Sequence, residues 1–161
     1  MSMQAGLSFE QAPPFSLALR FFLTAPLFLL AAAILIILSP DALASRWTPQ
    51  VLALTHALTL GFLAMVMLGA LMQMLPVVAG SPLPVPRWVA WLSHISLVLG
   101  TVSLMAGFLT AEPAAFGVGI VLRGISFAVF LLAAAISLAR AMSSVAVTGS
   151  RRAVIALAAT L

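Results

Sequence analysis

Three side chains in this sequence lie in apolar surroundings where polar chemistry is costly to place: His56, His94 and Arg123. His56 belongs to residues 52–80, an uncharged stretch that is long enough to cross a bilayer. An imidazole can hydrogen-bond or ligate a metal ion, and a histidine inside a membrane span is a functional-site candidate by default. Which of these residues can act together depends on the helices that carry them.

The composition is that of a membrane protein. Hydrophobic residues make up 64% of the chain and charged residues 6%, and the mean hydropathy is +1.27. Soluble domains carry about 25% charged residues. The basic residues are all arginines and form no basic stripe, so the pI near 11.9 does not indicate nucleic-acid binding. The absence of cysteine excludes disulfides, iron–sulfur clusters and thiolate metal sites within this chain.

Four apolar runs have the length of a membrane-spanning helix, about 20 residues. They predict helices over residues 17–38, 50–79, 88–111 and 116–142. A fifth run, residues 152–161, is too short to cross and favours a fragment of a longer protein over a complete chain. The predicted architecture is therefore an all-α polytopic transmembrane helical bundle, residues 17–161, with four full helices and the start of a fifth. An N-terminal tail, residues 1–16, precedes it.

Prolines and arginines predict how these helices begin, bend and orient. Pro49 suits the first position of the second helix, and Pro26 and Pro76 are expected to kink or unwind theirs. On the N-terminal side the arginines are Arg20, Arg87, Arg140, Arg151 and Arg152, whereas the opposite side has only Arg46. Cytoplasmic loops carry the excess of basic residues, so the N-terminus is predicted to be cytoplasmic.

The two histidines are predicted to lie near opposite faces of the membrane. His56 is about six residues into a helix that starts outside, or about 9 Å deep, and His94 is about as deep from the cytoplasmic face. Across a core of about 30 Å, their rings are then about 12–20 Å apart vertically. Two imidazoles at that separation cannot ligate one haem iron within a single chain.

The helical face of His56 is apolar. A regular α-helix places on it Leu63, Met67, Ala70 and Met74, a surface against which a flat macrocycle such as haem could lie. Small residues form a flank about 95° away, suited to close packing: Ala53, Ala57, Gly61 and Ala64. The alternative is a histidine hydrogen-bonded to a neighbouring helix, with methionines as ordinary filler.

His94 is predicted to be an interfacial residue. It shares a face with Arg87 and Trp91, which is typical of an aromatic and basic belt at a membrane surface. The small residues of its helix lie about 140° away and predict the main packing seam: Ser93, Ser96, Gly100, Ser103 and Gly107. His94 is therefore expected to point away from the bundle, with metal ligation the minor alternative.

Arg123 is expected at about the depth of His56. Placing an arginine there costs about 2.5–3.5 kcal/mol, which an anionic partner such as a haem propionate would offset. Snorkelling to the outer surface and capping of helix carbonyls are equal alternatives. Arg20, near the end of its helix, needs only snorkelling. Glycines in apolar helices are interpreted as packing residues: Gly61, Gly69, Gly117, Gly119 and Gly124.

Several short motifs resemble a known family. They are Thr55-His56, Leu60-Gly61-Phe62, Gly69-Ala70 and Gln73-Met74-Leu75-Pro76, with Leu19-Arg20-Phe21-Phe22-Leu23 before them. Together, over roughly residues 15–80, they resemble haem–copper oxidase subunit I-like proteins, and most closely the branch of NnrS-type membrane haem proteins. The resemblance implies a bacterial inner membrane and a b-type haem with His56 as one axial ligand. Met67 and Arg123 would line that haem site.

The resemblance covers only half of one haem site. The family's copper ligands and second haem ligand come from later helices, and this chain has no tyrosine. Oxygen or nitric-oxide reduction is therefore not implied, and whether the protein is an enzyme stays open. The expected partners are the lipid bilayer and either the remaining helices of a longer chain, a second protomer or other membrane subunits.

Two other function classes compete with haem binding. The first is a non-haem structural or assembly subunit of a membrane complex, in which the small-residue seams serve helix association. The second is a small-solute transporter, which is disfavoured because the sequence has neither paired acids nor an inverted repeat.

Overall fold

The computed structural model describes the backbone of residues 7–158 and the side chains of residues 7–143. Four long helices dominate it: α1 (Phe15–Leu38), α2 (Pro49–Ala79), α3 (Pro86–Thr110) and α4 (Pro113–Ala158). Two short 3-10 helices, Phe9–Gln11 and Pro40–Ala44, precede α1 and α2. Each long helix contains a stretch that is long and apolar enough to span a membrane. The predicted all-α, multi-pass membrane architecture is confirmed.

Local sequence signals set the ends of α2. Thr48 caps its first turn, because its hydroxyl oxygen accepts a hydrogen bond from the Val51 amide at 3.3 Å. Pro49 occupies the first helical position, as predicted. Gly80 adopts a left-handed conformation with φ 66°, and the Ser81 amide then donates to the Pro76 carbonyl at 3.2 Å. This C-terminal arrangement satisfies a carbonyl that the helix end leaves free.

The irregular part of α2 is not at its proline. Both α1 and α2 continue as α-helix through Pro26 and Pro76, where kinks or unwinding were expected. Instead, residues Ala57–Leu63 form a π-helix directly after His56. A π-helical turn closes hydrogen bonds over five residues instead of four, so it accommodates one extra residue within the helix. No sequence pattern predicted this segment.

Small residues allow the closest helix contacts. In the α3–α4 interface, a Cβ added at Gly119 would lie 3.0 Å from the Gly100 carbonyl oxygen, so the two backbones nearly touch. Between α1 and α2, a Cβ at Gly61 would overlap the ring of Phe28. The small-residue seams predicted on α2 and α3 are confirmed, since Ala53 and Gly61 of α2 and Gly100 of α3 are buried. Gly117 and Gly124 differ, because an added Cβ meets nothing there within 4 Å.

The predicted start of a fifth helix is instead part of α4. The described backbone continues as one helix from Pro113 to Ala158, and residues 159–161 lie outside it. The segment after Ser143 contains no proline to end the helix, and the single Gly149 is insufficient to do so. The fourth predicted span, residues 116–142, is therefore the first part of a longer helix.

The residues before α1 pack along the end of α2. The Ser8 amide donates to the Val77 carbonyl at 3.0 Å, and the Gln73 side-chain amide donates to the Pro13 carbonyl at 3.1 Å. At the same end of the bundle, the Ser137 hydroxyl on α4 donates to the Ser81 carbonyl at 2.8 Å. We call this end, where α1 begins, α2 ends and α3 begins, the arginine-rich end. It carries Arg20, Arg87 and Arg140, whereas Arg46 lies in the loop at the opposite end.

Candidate functional site

The hydrogen bond of His56 fixes its tautomer. Its Nδ1 lies 2.7 Å from the carbonyl oxygen of Leu52, one turn earlier in α2. A carbonyl oxygen can only accept, so Nδ1 must carry the proton and donate. In the neutral imidazole, Nε2 then carries a free lone pair. Metal-ligating histidines are commonly oriented by this kind of second hydrogen bond.

Aromatic rings from two other helices lie beside this histidine. The half-buried ring of His56 lies 4.9 Å, centroid to centroid, from Phe108 of α3, at an interplanar angle of 31°. Phe108 in turn makes an edge contact with Phe116 of α4 at 5.0 Å. The ring of His56 is therefore held from one side by a backbone hydrogen bond and from another by an apolar face.

The π-helical segment changes which residues lie below His56. Met67 is eleven residues further on, which gives a shared face only in a regular α-helix. The extra residue in the π segment rotates the rest of α2 by about 100° relative to that expectation. With one extra residue, the line below His56 runs through Ala64, Leu68, Leu71 and Leu75. Counted in this way, Met67 lies about 100° from the face of His56.

Met67 instead belongs to an open face of α2. Leu63, Met67 and Met74 are 51%, 53% and 62% exposed, so no described helix of this chain covers them. An open apolar face of this kind is available to lipid, to another protein or to a cofactor. The role of Met67 in cofactor binding stays a prediction.

Arg123 packs against a different turn of α3 from His56. A Cβ added at Gly100 would lie 3.0 Å from its Cγ, whereas His56 contacts Phe108. These two α3 positions are eight residues apart, or about 12 Å along the helix, but the Arg123 side chain points back one turn toward Gly119. That Arg123 lies at the depth of His56 stays a prediction.

The guanidinium of Arg123 is only partly engaged. Its Nε donates to the Gly119 carbonyl of its own helix at 3.0 Å, as the carbonyl-capping alternative anticipates. Its two terminal nitrogens make no hydrogen bond to the described residues. A propionate contact therefore stays a prediction for Arg123.

His94 faces α1, which corrects the expectation that it points away from the bundle. Its Nε2 lies 2.9 Å from the Thr24 hydroxyl oxygen, and its ring makes an edge contact with Phe21 at 5.0 Å. The small-residue pattern marked only the seam with α4, whereas larger residues build the contact with α1. Because the Thr24 hydroxyl donates to the Arg20 carbonyl at 2.7 Å, it must accept from His94 Nε2.

The two histidines therefore belong to separate places. His94 and Phe108, the α3 residue that His56 contacts, are 14 residues apart, or about 21 Å along the helix. This spacing agrees with the expectation that one iron cannot bind both histidines of a single chain. In the part of the chain that the structure describes, no three His, Cys, Asp or Glu residues form a metal-binding group.

A basic and aromatic cluster near the arginine-rich end was not predicted. The Cζ atom of Arg20 lies 4.2 Å from the centroid of the Trp91 ring, and both residues line an open cleft of about 290 Å³ together with His94. Sequence reasoning assigned Arg20 to snorkelling and Trp91 to a surface belt. Their proximity depends on how α1 crosses α3, which no residue spacing within one helix reveals.

Comparisons with protein-family models, curated proteins and solved structures found no match for this chain.

Proposed function

We propose that this chain is an integral membrane haem-binding protein in which His56 is one axial ligand of a b-type haem. The observation that carries the proposal is the hydrogen bond from His56 Nδ1 to the Leu52 carbonyl. It leaves the lone pair of Nε2 free to bind a metal ion. The motif resemblance around His56 and Gly61 supports the same assignment.

The residues around His56 fit one side of such a group. Nε2 is the ligand atom, the Leu52 carbonyl fixes the ring, and Phe108 provides an apolar wall. Haem bound to histidine supplies one-electron or gas-binding chemistry, depending on its other ligand. That ligand comes from helices of a longer chain, from His56 of a second copy or from another subunit.

The proposal includes an orientation. The arginine-rich end faces the cytoplasm of a bacterial inner membrane, with the N-terminus inside, because cytoplasmic loops carry the excess of arginine. His56 then lies in the outer half of the membrane, near the end where α3 finishes and α4 begins.

An absorption spectrum of protein purified from haem-replete cells tests the assignment. We expect a Soret band that is lost in His56→Ala and kept in His94→Ala. The two variants are matched, since each removes one half-buried imidazole with one hydrogen bond. A band that survives in His56→Ala, or a colourless wild-type protein, would contradict the proposal.

A structural or assembly subunit is the second candidate. The observation that favours it is the nearly touching α3–α4 backbones combined with open apolar faces elsewhere, as on α1, where Leu23 is 65% exposed. This candidate predicts a colourless protein that copurifies with other membrane subunits, and His56→Ala then leaves that association unchanged.

A further inference from the structure

We propose that the cleft between α1 and α3 at the arginine-rich end binds the anionic headgroup of a phospholipid, with Arg20 as its main contact. The site is separate from His56. The cleft is lined by Ser16, Leu19, Arg20, Leu23, Trp91 and His94 and has a volume of about 290 Å³.

The charge of Arg20 has no anionic partner among the described residues. Its Nε and Nη1 atoms are buried and make no hydrogen bond to the described residues. The sequence has only three acidic residues, Glu10, Asp41 and Glu112, and none of them forms an ion pair with Arg20 in the described structure. A half-buried guanidinium without a counter-charge is costly in a bilayer, and an anion at the cleft reduces that cost.

Trp91 and Thr24 hold this end of the cleft in place. The Arg20 guanidinium lies against the Trp91 ring, a cation–π contact that limits its freedom to snorkel elsewhere. His94 is fixed by its hydrogen bond to Thr24, whose hydroxyl donates to the Arg20 backbone. The cationic group is therefore held in position before any ligand arrives.

The lining of the cleft favours an anion that carries an apolar tail. Leu19 and Leu23 are exposed beside Arg20, and an acyl chain can cover them. A neighbouring cleft of about 580 Å³ shares Trp91 and adds a second cation, Arg87, beside further apolar residues. Basic pockets between transmembrane helices are a recognised way to bind anionic lipid headgroups, and a free phosphate ion uses only the charged part of this surface.

Fluorescence of Trp91 gives a direct test. In a Trp47→Phe, Trp88→Phe background, Trp91 is the remaining tryptophan, and brominated lipids quench it on contact. The protein is reconstituted in phosphatidylcholine vesicles and titrated with brominated phosphatidylglycerol or brominated phosphatidylcholine. One arginine near the surface contributes about 1 kcal/mol, so we expect about a five-fold preference for phosphatidylglycerol.

Matched variants separate a specific site from general charge. Arg20→Gln is expected to remove the preference and Arg20→Lys to keep most of it, which also controls for misfolding. Arg46→Gln, made in the same background, removes an arginine at the opposite end of the bundle and should change nothing. Equal quenching by both lipids, or a preference that survives Arg20→Gln, overturns the proposal.

A last arm distinguishes the source of the anion. Inorganic phosphate added to the phosphatidylglycerol vesicles should leave the quenching preference unchanged, because it cannot cover Leu19 and Leu23. Loss of the preference on adding phosphate, at constant ionic strength set with chloride, would assign the cleft to a water-soluble anion and overturn the lipid proposal.

Discussion

At the scale of single residues, glycines differ sharply in what surrounds them. A Cβ at Gly61 overlaps the Phe28 ring, whereas one at Gly124 meets nothing within 4 Å. Gly61→Ala is therefore expected to destabilise the bundle by about 1–3 kcal/mol through overpacking. Gly124→Ala is expected to be neutral or stabilising by up to about 1 kcal/mol, because alanine favours helix. Thermal unfolding in detergent, followed by circular dichroism, measures both.

The comparison uses the same substitution in two helices, and the lower backbone entropy of alanine in the unfolded chain favours both variants. A Gly61→Ala variant that unfolds at the same temperature as Gly124→Ala would mean that the α1–α2 contact at Phe28 is looser than described. The sequence predicted every glycine in an apolar helix to be a packing residue. Only the arrangement of the helices distinguishes Gly61, where an added Cβ overlaps Phe28, from Gly124, where it meets nothing within 4 Å.

At the scale of elements, the π segment of α2 predicts that one residue can be deleted there without disturbing the packing of the rest of the helix. A π-helical turn holds one extra residue while leaving the flanking α-helical turns in register. Deleting Thr59, whose exposed side chain hydrogen-bonds only to the Thr55 carbonyl of its own helix, should return the segment to α-helix with its flanks still packed. We expect the unfolding midpoint to change little.

Deletion of Leu71, 42% exposed in the regular part of α2, is the matched control. It rotates the residues that follow by about 100° and removes Met72, which is fully buried, from the core. A loss of about 2–5 kcal/mol is expected, as for other core methionines. If deleting Thr59 destabilises the protein as much as deleting Leu71, residues Ala57–Leu63 do not hold an extra residue.

The sequence predicted most of the helix bounds but not the contacts between the helices. Apolar length predicted all four spans, and Pro49 marked the start of α2 within one residue. The π segment was not predicted because its amino-acid composition does not differ from that of an α-helix. The contact of His94 with α1 was not predicted because it joins two residues, Thr24 and His94, that are 70 positions apart in the chain.

At the scale of the whole molecule, the described residues provide one axial ligand for the proposed haem. His56 offers one ligand atom, and His94 lies about 21 Å along α3 from Phe108, the residue that His56 contacts, so the described residues supply no second histidine for the same iron. The ring of His56 is only half-buried and its neighbours Thr55 and Leu58 are exposed, which leaves room for another copy of the chain beside it. Two copies related by a two-fold axis can present two His56 rings to one metal.

This reasoning predicts the haem stoichiometry of the 161-residue chain expressed by itself. We expect one haem per two chains, a dimeric mass in detergent, and the loss of both haem and dimer in His56→Ala. Haem is quantified as its pyridine complex against protein from amino-acid analysis, and light scattering after size exclusion gives the mass. His94→Ala is the control and should keep both values. One haem per chain in a monomer would show instead that a group other than a second His56 completes the iron.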